Sequence, residues 1–277
     1  MYETSYARAE SLKDAVSKMG DAGDGKYISG GMTLLPTMKQ RLAAPDTLID
    51  LTGIEDMKGI NTEKSGLIKS LIGRGADHIV IGAATTHNEV HTSDLVRSKC
   101  HSLAEMAGWI GDPAVRYRGT IGGSLANNDP AADYPSAMLA LAATIHTNER
   151  EIAADDFFTG MFETALNEDE IVTAVSFVPV EKCGYEKFRN PASRYAMAGV
   201  FVAKGADGVR VGVTGASQNG VYRWKEAEAA LADNFAPEAL DGLSVDESDM
   251  LSDIHATAAY RANLVKVMAK RAVAGAK

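Results

Sequence analysis

Hydrophobic positions in the first part of this 277-residue chain alternate between helical spacing and short apolar runs. Residues 8–19 carry an apolar face at intervals of three and four residues, which predicts a first helix. That face consists of Leu12, Ala15, Val16 and Met19. Residues 47–51 and 78–85 are short apolar runs typical of buried strands. Residues 87–110 predict one or two helices, and the apolar run 137–146 predicts a helix or a buried strand.

Beyond Ile171 the pattern changes to alternating segments separated by Gly, Pro and Asn. The predicted strands are 171–180, 185–190, 196–205 and 209–217, and the predicted helices are 224–233 and 255–273. We place a domain boundary near residue 178. The region 179–277 is then an α+β domain in which two helices cover one face of a small sheet. Gly184 is assigned to an ordinary turn between the two domains.

Two glycine pairs are the strongest candidates for a binding site. The first, in SGGMT at 29–33, follows the strand-like KYIS and precedes a helical pattern with Pro36 in its first turn. The second lies in TIGGS at 120–124. Without a Cβ, glycine lets backbone N–H groups approach an anion closely, and a following helix adds the positive end of its dipole. Two such turns could bind a diphosphate; the alternative is that both merely form tight turns.

Composition and charge exclude several classes of protein. The formal net charge of -9 leaves no basic surplus for binding a nucleic acid. The N-terminal residues lack an apolar stretch of signal-peptide length, and the longest apolar run, 137–145, is too short to span a bilayer. We therefore expect a cytoplasmic protein without an integral membrane segment, whose partners are small molecules or other proteins.

Cysteine and histidine give little support for a metal site. Cys100 and Cys183 lie outside any CxxC or Cys/His cluster, so we expect inert thiols rather than ligands or a disulfide. Two cysteines do not suffice for an iron–sulfur cluster. His87 and His91 have the i, i+4 spacing of metal ligands, but no HExxH glutamate lies between them. We predict neither a metal ligand nor a catalytic residue in this chain.

Nucleotide fingerprints are absent, but two long segments resemble a known family. Neither GxGxxG nor GxxxxGK[ST] occurs, which disfavours a Rossmann or P-loop site. ISGGMTLLPTMKQRLAAPDTLIDL and VRYRGTIGGSLANNDPAADYPSA are similar to the two flavin-binding signatures of the medium, FAD-carrying subunits of molybdenum hydroxylases. IGAATTHNEVHTS, YEKF and YRANLVKVMAKRAV extend the similarity over nearly the whole chain. The chain most resembles the medium subunits of the aerobic carbon monoxide dehydrogenase type.

The resemblance implies a fold, a cofactor and partners. The family has an α+β FAD-binding fold of the vanillyl-alcohol-oxidase-like (PCMH) type, here residues 1–178 with subdomains of about 1–57 and 58–178. A C-terminal α+β domain, 179–277, follows. Members of the family work with a large molybdopterin subunit and a small [2Fe–2S] subunit, commonly as a dimer of heterotrimers. The FAD passes electrons from those clusters to an external acceptor.

The resemblance also implies which residues bind FAD. Both glycine turns would contact the diphosphate, Lys26 opens the strand before the first turn, and Asp133, with Asp129 as its competitor, would bind sugar hydroxyls. Ile171 and Lys187 match positions that line the cofactor, and Tyr195 matches an aromatic residue near the isoalloxazine ring. The turn residues are Ser29, Gly30, Gly31, Met32 and Thr33 in the first turn and Thr120, Ile121, Gly122, Gly123 and Ser124 in the second.

Two other functions remain open at this point. A stand-alone flavin oxidase of the related fold would need its own substrate pocket and a base over the flavin. A non-catalytic nucleotide-binding assembly protein would keep the diphosphate site without electron transfer. The sequence departs from the family in the polar loop 61–77, which is longer than expected and leaves the partner contacts open.

Overall fold

The first fifty residues build a small parallel sheet. The computed structural model describes residues 1–62 and 78–277, so the predicted loop 61–77 lies almost wholly outside the described residues. The sheet has the strand order β1-β3-β2, and helices connect its strands. Its elements are β1 (Ser5–Arg8), α1 (Leu12–Gly20), β2 (Gly25–Ile28), α2 (Leu34–Lys39) and β3 (Thr47–Asp50).

Helix α1 is shorter than predicted and buries a narrower face. Ser11 caps it by accepting a hydrogen bond from the Asp14 amide at 3.1 Å. Ala15 and Met19 are buried as predicted, but Val16 is 39% exposed. One residue corresponds to about 100° of helix rotation, so Val16 turns away from the line that joins Ala15 to Met19. The prediction that Val16 belongs to the buried face is therefore wrong.

The second sheet is antiparallel and lies in the middle of the chain. Its order is β4-β5-β10-β6-β7, and the central strand β10 is buried along its whole length. A separate two-stranded hairpin pairs β8 with β9. The strands are β4 (Ile60–Asn61), β5 (Ile79–Gly82), β6 (Thr144–Thr147), β7 (Glu151–Ala153), β8 (Phe158–Gly160), β9 (Glu163–Thr164) and β10 (Val172–Phe177).

In the part of the chain that the structure describes, seven short α-helices accompany the second sheet. Residues 87–110 form three helices rather than one or two, because the chain leaves helical geometry at Ser93 and at Cys100. The run 137–146 contains both predicted alternatives, the end of α8 followed by the start of β6. The helices are α3 (His87–Thr92), α4 (Asp94–Lys99), α5 (His101–Gly108), α6 (Pro113–Arg116), α7 (Ile121–Asn127), α8 (Tyr134–Ala140) and α9 (Ala154–Phe157).

The third sheet is an antiparallel meander in the order β11-β12-β13-β14. Helices α10 and α11 cover one face, as predicted. The other face is also covered, because α8 packs so closely that a Cβ at Gly212 would lie 2.1 Å from the Ser136 carbonyl oxygen. The elements are β11 (Lys182–Arg189), β12 (Ala196–Gly205), β13 (Gly208–Thr214), β14 (Tyr222–Arg223), α10 (Lys225–Asp233) and α11 (Ala258–Ala274). The predicted α+β class is confirmed.

Gly184 lies inside β11 rather than in a turn between domains. It is buried, and a Cβ there would lie 1.9 Å from the carbonyl oxygen of Ala272. The residue is glycine because α11 approaches the strand backbone at this point. The prediction of an ordinary turn at Gly184 is wrong.

Within the two described ranges, no helix is long and apolar enough to cross a membrane.

Candidate functional site

The first glycine turn leaves β2 and leads into α2. Gly31 has a φ of +70°, and a Cβ there would lie 3.0 Å from a Leu35 methyl carbon. This left-handed conformation explains the need for glycine. Among the described residues, the backbone amides of 29–33 have no protein acceptor. Successive N–H donors without acceptors, on glycine-rich backbone, are suited to binding anionic oxygens.

The second glycine turn uses its amides differently. Thr120 caps α7 by accepting a hydrogen bond from the Gly123 amide at 3.2 Å, and the Ser124 amide donates to the Thr120 carbonyl. The Gly122 amide donates to the Ala83 carbonyl at 2.9 Å, and a Cβ at Gly122 would lie 2.4 Å from the Ala83 Cβ. Gly123 is exposed, and among described side chains its Cβ position approaches only the Thr120 hydroxyl. Gly122 therefore allows close packing, while Gly123 leaves an open surface.

The two turns lie against each other, although they are far apart in sequence. The Thr120 hydroxyl donates to the Ser29 hydroxyl at 3.2 Å. Gly30 is buried, and a Cβ there would lie 2.2 Å from the Arg118 carbonyl oxygen. Glycine at position 30 thus lets the backbone of the first turn touch the segment that leads into the second. The first turn, whose amides have no acceptor among the described residues, and the open surface at Gly123 are therefore on adjacent segments.

Two side chains of β11 and one acid form a buried polar cluster. The Asp133 carboxylate accepts two bonds from the Lys187 ammonium, at 2.8 and 3.0 Å, and a third from the Tyr185 hydroxyl. Lys187 also donates to the Trp109 carbonyl at 3.2 Å. Burial and the charge of Asp133 raise the pKa of Tyr185 well above its ordinary value, so its hydroxyl keeps its proton. We call these three side chains, Asp133, Tyr185 and Lys187, the acid cluster.

Comparison with known proteins assigns the family. Residues 2–181 match the family described as the FAD binding domain in molybdopterin dehydrogenase. The chain belongs to this family. It is 33% identical to the carbon monoxide dehydrogenase medium chain of Afipia carboxidovorans, over 98% of this chain and 96% of that one. It is 32% identical to the glyceraldehyde dehydrogenase medium chain of Sulfolobus acidocaldarius, over 98% and 97% of the two chains.

Solved structures agree with this assignment. The fold matches that in reconstituted CO dehydrogenase from Oligotropha carboxidovorans with a TM-score of 0.87 at 32% identity, covering 99% of this chain and 98% of that chain. The resemblance to carbon monoxide dehydrogenase medium subunits and the FAD-binding fold of the PCMH type are therefore confirmed. The protein is an FAD-binding oxidoreductase subunit of the molybdenum hydroxylase family.

The residues of the FAD-binding subunit fit the cofactor. A diphosphate is an anion that needs several hydrogen-bond donors, and the amides of 29–33 supply donors that the described protein does not use. Side chains at Gly30 or Gly31 would fill or distort the backbone that presents these donors. The fit therefore depends on backbone geometry at the first turn, which touches the second turn through Ser29 and Thr120.

The two acids predicted to bind sugar hydroxyls are in different environments. Asp133 is in the acid cluster, where the protein itself satisfies the carboxylate. Asp129 is partly exposed, and one of its oxygens accepts a bond from the Ala131 amide at 2.9 Å. Burial raises the pKa of Asp129. Tyr195 is 49% exposed, and its pKa is raised by burial and then by the charges of Asp129 and Asp133.

The other predicted residues divide by exposure. Ile121 and Ile171 are in the hydrophobic core. Lys26, Met32 and Thr33 are exposed, and Thr33 begins α2 without a side-chain cap. Over residues 1–62 and 78–277, no hydrogen bond joins the side chain of Lys26 to either glycine turn. The roles of these five residues toward FAD remain predictions.

His87 packs against the backbone that leads into the second turn, a role that the sequence did not indicate. Its amide donates to the Gly119 carbonyl at 2.9 Å, and a Cβ at Gly119 would lie 2.6 Å from its Nε2. Its ring packs against Tyr134, with centroids 5.4 Å apart. Burial lowers the pKa of His87 to about 4. The His91 ring instead contacts the Ala104 carbonyl oxygen, and no metal-binding cluster occurs among the residues described.

Tyr185 and Arg118 are the other residues of the site that sequence reasoning missed. Tyr185 lay in the matched YEKF segment, but nothing local indicated that its hydroxyl would reach Asp133. Arg118 lies two residues before the second turn, and its carbonyl forms the contact with Gly30. The signal for Arg118 was its position in the conspicuous stretch RYRGTIGGS.

Proposed function

We propose that this protein is the electron-transfer subunit of a molybdenum hydroxylase, passing electrons from [2Fe–2S] clusters of a partner through FAD to an external acceptor. The observation that carries the proposal is the contact between the two glycine turns, together with five amides on the first turn that have no acceptor in residues 1–62 and 78–277. Relatives named as medium chains of carbon monoxide and glyceraldehyde dehydrogenases support it. When bound, FAD supplies the redox chemistry, since it exchanges electrons that side chains cannot carry.

The partners in this proposal are a large molybdopterin subunit and a small [2Fe–2S] subunit. A dimer of such heterotrimers is the expected assembly. Several relatives are named as medium chains or subunits, which supports an assembly of several chains. The chain's own composition agrees, since two cysteines fall short of the ligands that an iron–sulfur cluster needs.

The roles of the turns follow from their geometry. The amides of 29–33 bind the FAD diphosphate, and the Ser29–Thr120 hydroxyl contact holds the two turns together. Gly123 gives the cofactor room because its exposed face carries no side chain. Gly122 acts indirectly, by letting α7 pack against Ala83.

We assign the sugar-hydroxyl contact to Asp129 rather than Asp133. Asp133 already accepts three bonds from Lys187 and Tyr185 within the acid cluster. Asp129 keeps a carboxylate oxygen without a partner among the described residues, and that oxygen can accept bonds from a diol. Tyr195, whose pKa the charge of Asp129 raises, offers an exposed aromatic ring on which a flavin ring could stack.

The proposed domain division is 1–178, with subdomains of about 1–57 and 58–178, followed by 179–277. The sheets support it because each lies within one of these ranges: β1 to β3 in the first, β4 to β10 in the second and β11 to β14 in the third. The second range also contains Thr120 and Asp129, and the third contains Tyr195. The site therefore draws on all three parts of the chain.

The test compares the isolated chain with the native complex. The isolated protein should bind FAD non-covalently, released by acid precipitation, yet oxidise neither carbon monoxide nor any other candidate substrate. The native complex should contain molybdenum, iron and two further subunits, and its flavin should be reduced by substrate. Turnover by the isolated chain would favour a stand-alone oxidase. FAD binding in a native protein without metals or partner subunits would also overturn the proposal.

A further inference from the structure

The two cysteines meet in space although 82 residues separate them in sequence. Cys100 lies at the junction of α4 and α5, and Cys183 is the second residue of β11. Their sulfur atoms are 3.5 Å apart, and both residues are 2% exposed. The chain has only these two cysteines. Each thiol therefore has one possible intramolecular partner.

We propose that Cys100 and Cys183 are a redox modification site, which a small peroxide oxidises to a disulfide between the FAD-binding region and the third sheet. The sulfurs must approach from 3.5 Å to the covalent distance of about 2.05 Å. Cys100 lies at the junction of two helices, where the backbone leaves helical geometry, so a local adjustment there can bring the two sulfur atoms closer.

 The backbone angles at Cys100 are φ -155° and ψ 74°, which lie outside the helical region, although its amide still donates to the Val96 carbonyl at 2.7 Å.

The environment of the pair makes Cys183 the attacking thiolate. The hydrogen bond between the two sulfur atoms, with smaller contributions from Ser102, lowers the pKa of Cys183 to about 7. The same bond, together with burial, raises the pKa of Cys100 well above its ordinary value. Cys183 is therefore the more readily deprotonated of the two thiols. A thiolate is the form that reacts with peroxides.

The proposed reaction balances with hydrogen peroxide as the named oxidant. The Cys183 thiolate attacks one peroxide oxygen, the O–O bond breaks, and hydroxide leaves, so that Cys183 becomes a sulfenic acid. The Cys100 sulfur then attacks the Cys183 sulfur, the S–O bond breaks, and the released oxygen leaves as water with the Cys100 proton. In sum, two thiols lose two electrons and two protons, and one peroxide becomes two waters. Burial limits the reaction to small oxidants and to transient openings of the α4–α5 corner.

The disulfide would fix the strand that holds the acid cluster. Cys183, Tyr185 and Lys187 alternate along β11, so their side chains lie on one face of the strand. All three are buried against the FAD-binding region. A covalent bond at Cys183 would therefore tie this face to α5 at one end, while Lys187 binds Asp133 at the other. It would also close a long loop and restrict the unfolded chain.

The direct test oxidises the FAD-loaded chain with hydrogen peroxide and counts its thiols. After quenching and alkylation, the denatured oxidised protein should show no free thiol, whereas the reduced protein should show two. Digestion without reduction should give one linked peptide pair containing Cys100 and Cys183, lighter by two hydrogens than the sum of its parts. The thermal midpoint should rise by about 5 °C or more on oxidation and return with dithiothreitol.

Two variants and two alternative products make the test decisive. C100S and C183S should each lose the oxidation-dependent rise in thermal midpoint, with the reduced wild-type protein as the reference. If either variant fails to fold, the peptide map of the wild-type protein still decides. Two free thiols after oxidation, sulfinic acid without a linked peptide, or a disulfide between two chains would each overturn the proposal.

Discussion

The glycine turns and the acid cluster satisfy their polar groups in opposite ways. At the first turn, the amides of 29–33 have no acceptor among the described residues. In the acid cluster, by contrast, Asp133, Tyr185 and Lys187 satisfy one another in a space closed to solvent. A polar group left without a protein partner at an accessible position is available to a ligand, and one that is fully paired contributes to folding.

This difference separates two kinds of residue that the family motifs treat alike. Both Gly123 and Asp133 lie in the second signature segment. Gly123 presents an open surface, whereas Asp133 is held by β11 of the third sheet. We therefore expect substitutions at the turns to change FAD affinity, and substitutions in the acid cluster to change stability first.

The largest expected effect is on stability, in the acid cluster. Lys187→Met leaves the Asp133 carboxylate buried without its ammonium partner, since Lys187 is fully buried in the ion pair. Breaking a buried pair in this way costs about 3–5 kcal/mol of unfolding free energy. Urea denaturation of the apoprotein measures it.

The matched control is the double variant Lys187→Met with Asp133→Asn, which removes both charges. It should recover most of the lost stability, because the neutral amide can still accept the Tyr185 hydrogen bond. A loss below about 1 kcal/mol in the single variant would show that the acid cluster is solvated, and the contrast with the turns would fail.

The acid cluster also shows where sequence reasoning stops. The resemblance placed Asp133 and Lys187 at the cofactor, and the structure shows that they bind each other across 54 positions. No local pattern indicates such a pair, because the register of β11 against the FAD-binding region decides it. Gly184 was mistaken for a turn for the same reason: its closeness to Ala272 depends on how α11 packs.

The next effect concerns His87, which is buried next to the backbone that leads into the second turn. Its pKa of about 4 in the folded protein lies below the ordinary value of 6.5. The unfolded chain therefore binds more protons between these values, so the stability from His87 is present above pH 6.5 and is lost as the pH falls to 4. The loss amounts to roughly 3 kcal/mol.

The measurement compares unfolding free energies of the wild-type protein and His87→Gln between pH 7 and pH 4. Over this range the free energy of unfolding should fall less steeply with pH in the variant. The two slopes should differ by about one bound proton. Burial also lowers the pKa of His146 to about 4, and this residue contributes the same pH dependence of stability to both proteins. Parallel pH curves for the two proteins would show that His87 is accessible to protons in the folded state.

The third effect tests the open surface of the second turn. Gly123→Val places a branched side chain where we propose that FAD lies, and the loss should be on the order of a hundredfold in affinity, equivalent to about 2.7 kcal/mol. The folded apoprotein should tolerate the change, because only the Thr120 hydroxyl, at 3.0 Å, approaches the new Cβ among the described side chains. FAD titration and thermal unfolding of the apoprotein measure the two quantities.

Gly242→Val is the matched control for Gly123→Val. Gly242 is exposed, and no described atom outside its immediate neighbours lies within 4 Å of its Cβ position. Both variants should unfold at similar temperatures, but only Gly123→Val should bind FAD weakly. Equal FAD affinities in the two variants would mean that TIGGS is only a structural turn. Gly123 would then have a packing role like that of Gly122.

The turns illustrate what sequence could predict and what it could not. The glycine pairs predicted both turns, because such pairs have a local signature. The cofactor and the FAD-binding fold came instead from the resemblance of the quoted motifs to a known family. It was not predictable that Gly122 would pack and Gly123 would be exposed, since this depends on which glycine faces Ala83. The break at Ser93 had a local signal, because its hydroxyl caps α4 by accepting the Val96 amide.

The smallest expected effect concerns Tyr195, the exposed aromatic ring that we propose stacks on the flavin. If its ring stacks on the flavin, Tyr195→Ala should weaken FAD binding by roughly threefold to tenfold, the range of about 0.5–1.5 kcal/mol for an aromatic contact. Tyr195→Phe should bind FAD nearly as well as the wild-type protein, because it keeps the ring and removes only a hydroxyl. Neither change should affect the stability of the apoprotein by more than about 0.5 kcal/mol, since the side chain is 49% exposed. Fluorescence titration of FAD into the three apoproteins measures the affinities. Equal weakening in both variants would assign the contact to the hydroxyl, and no weakening in either would remove Tyr195 from the site.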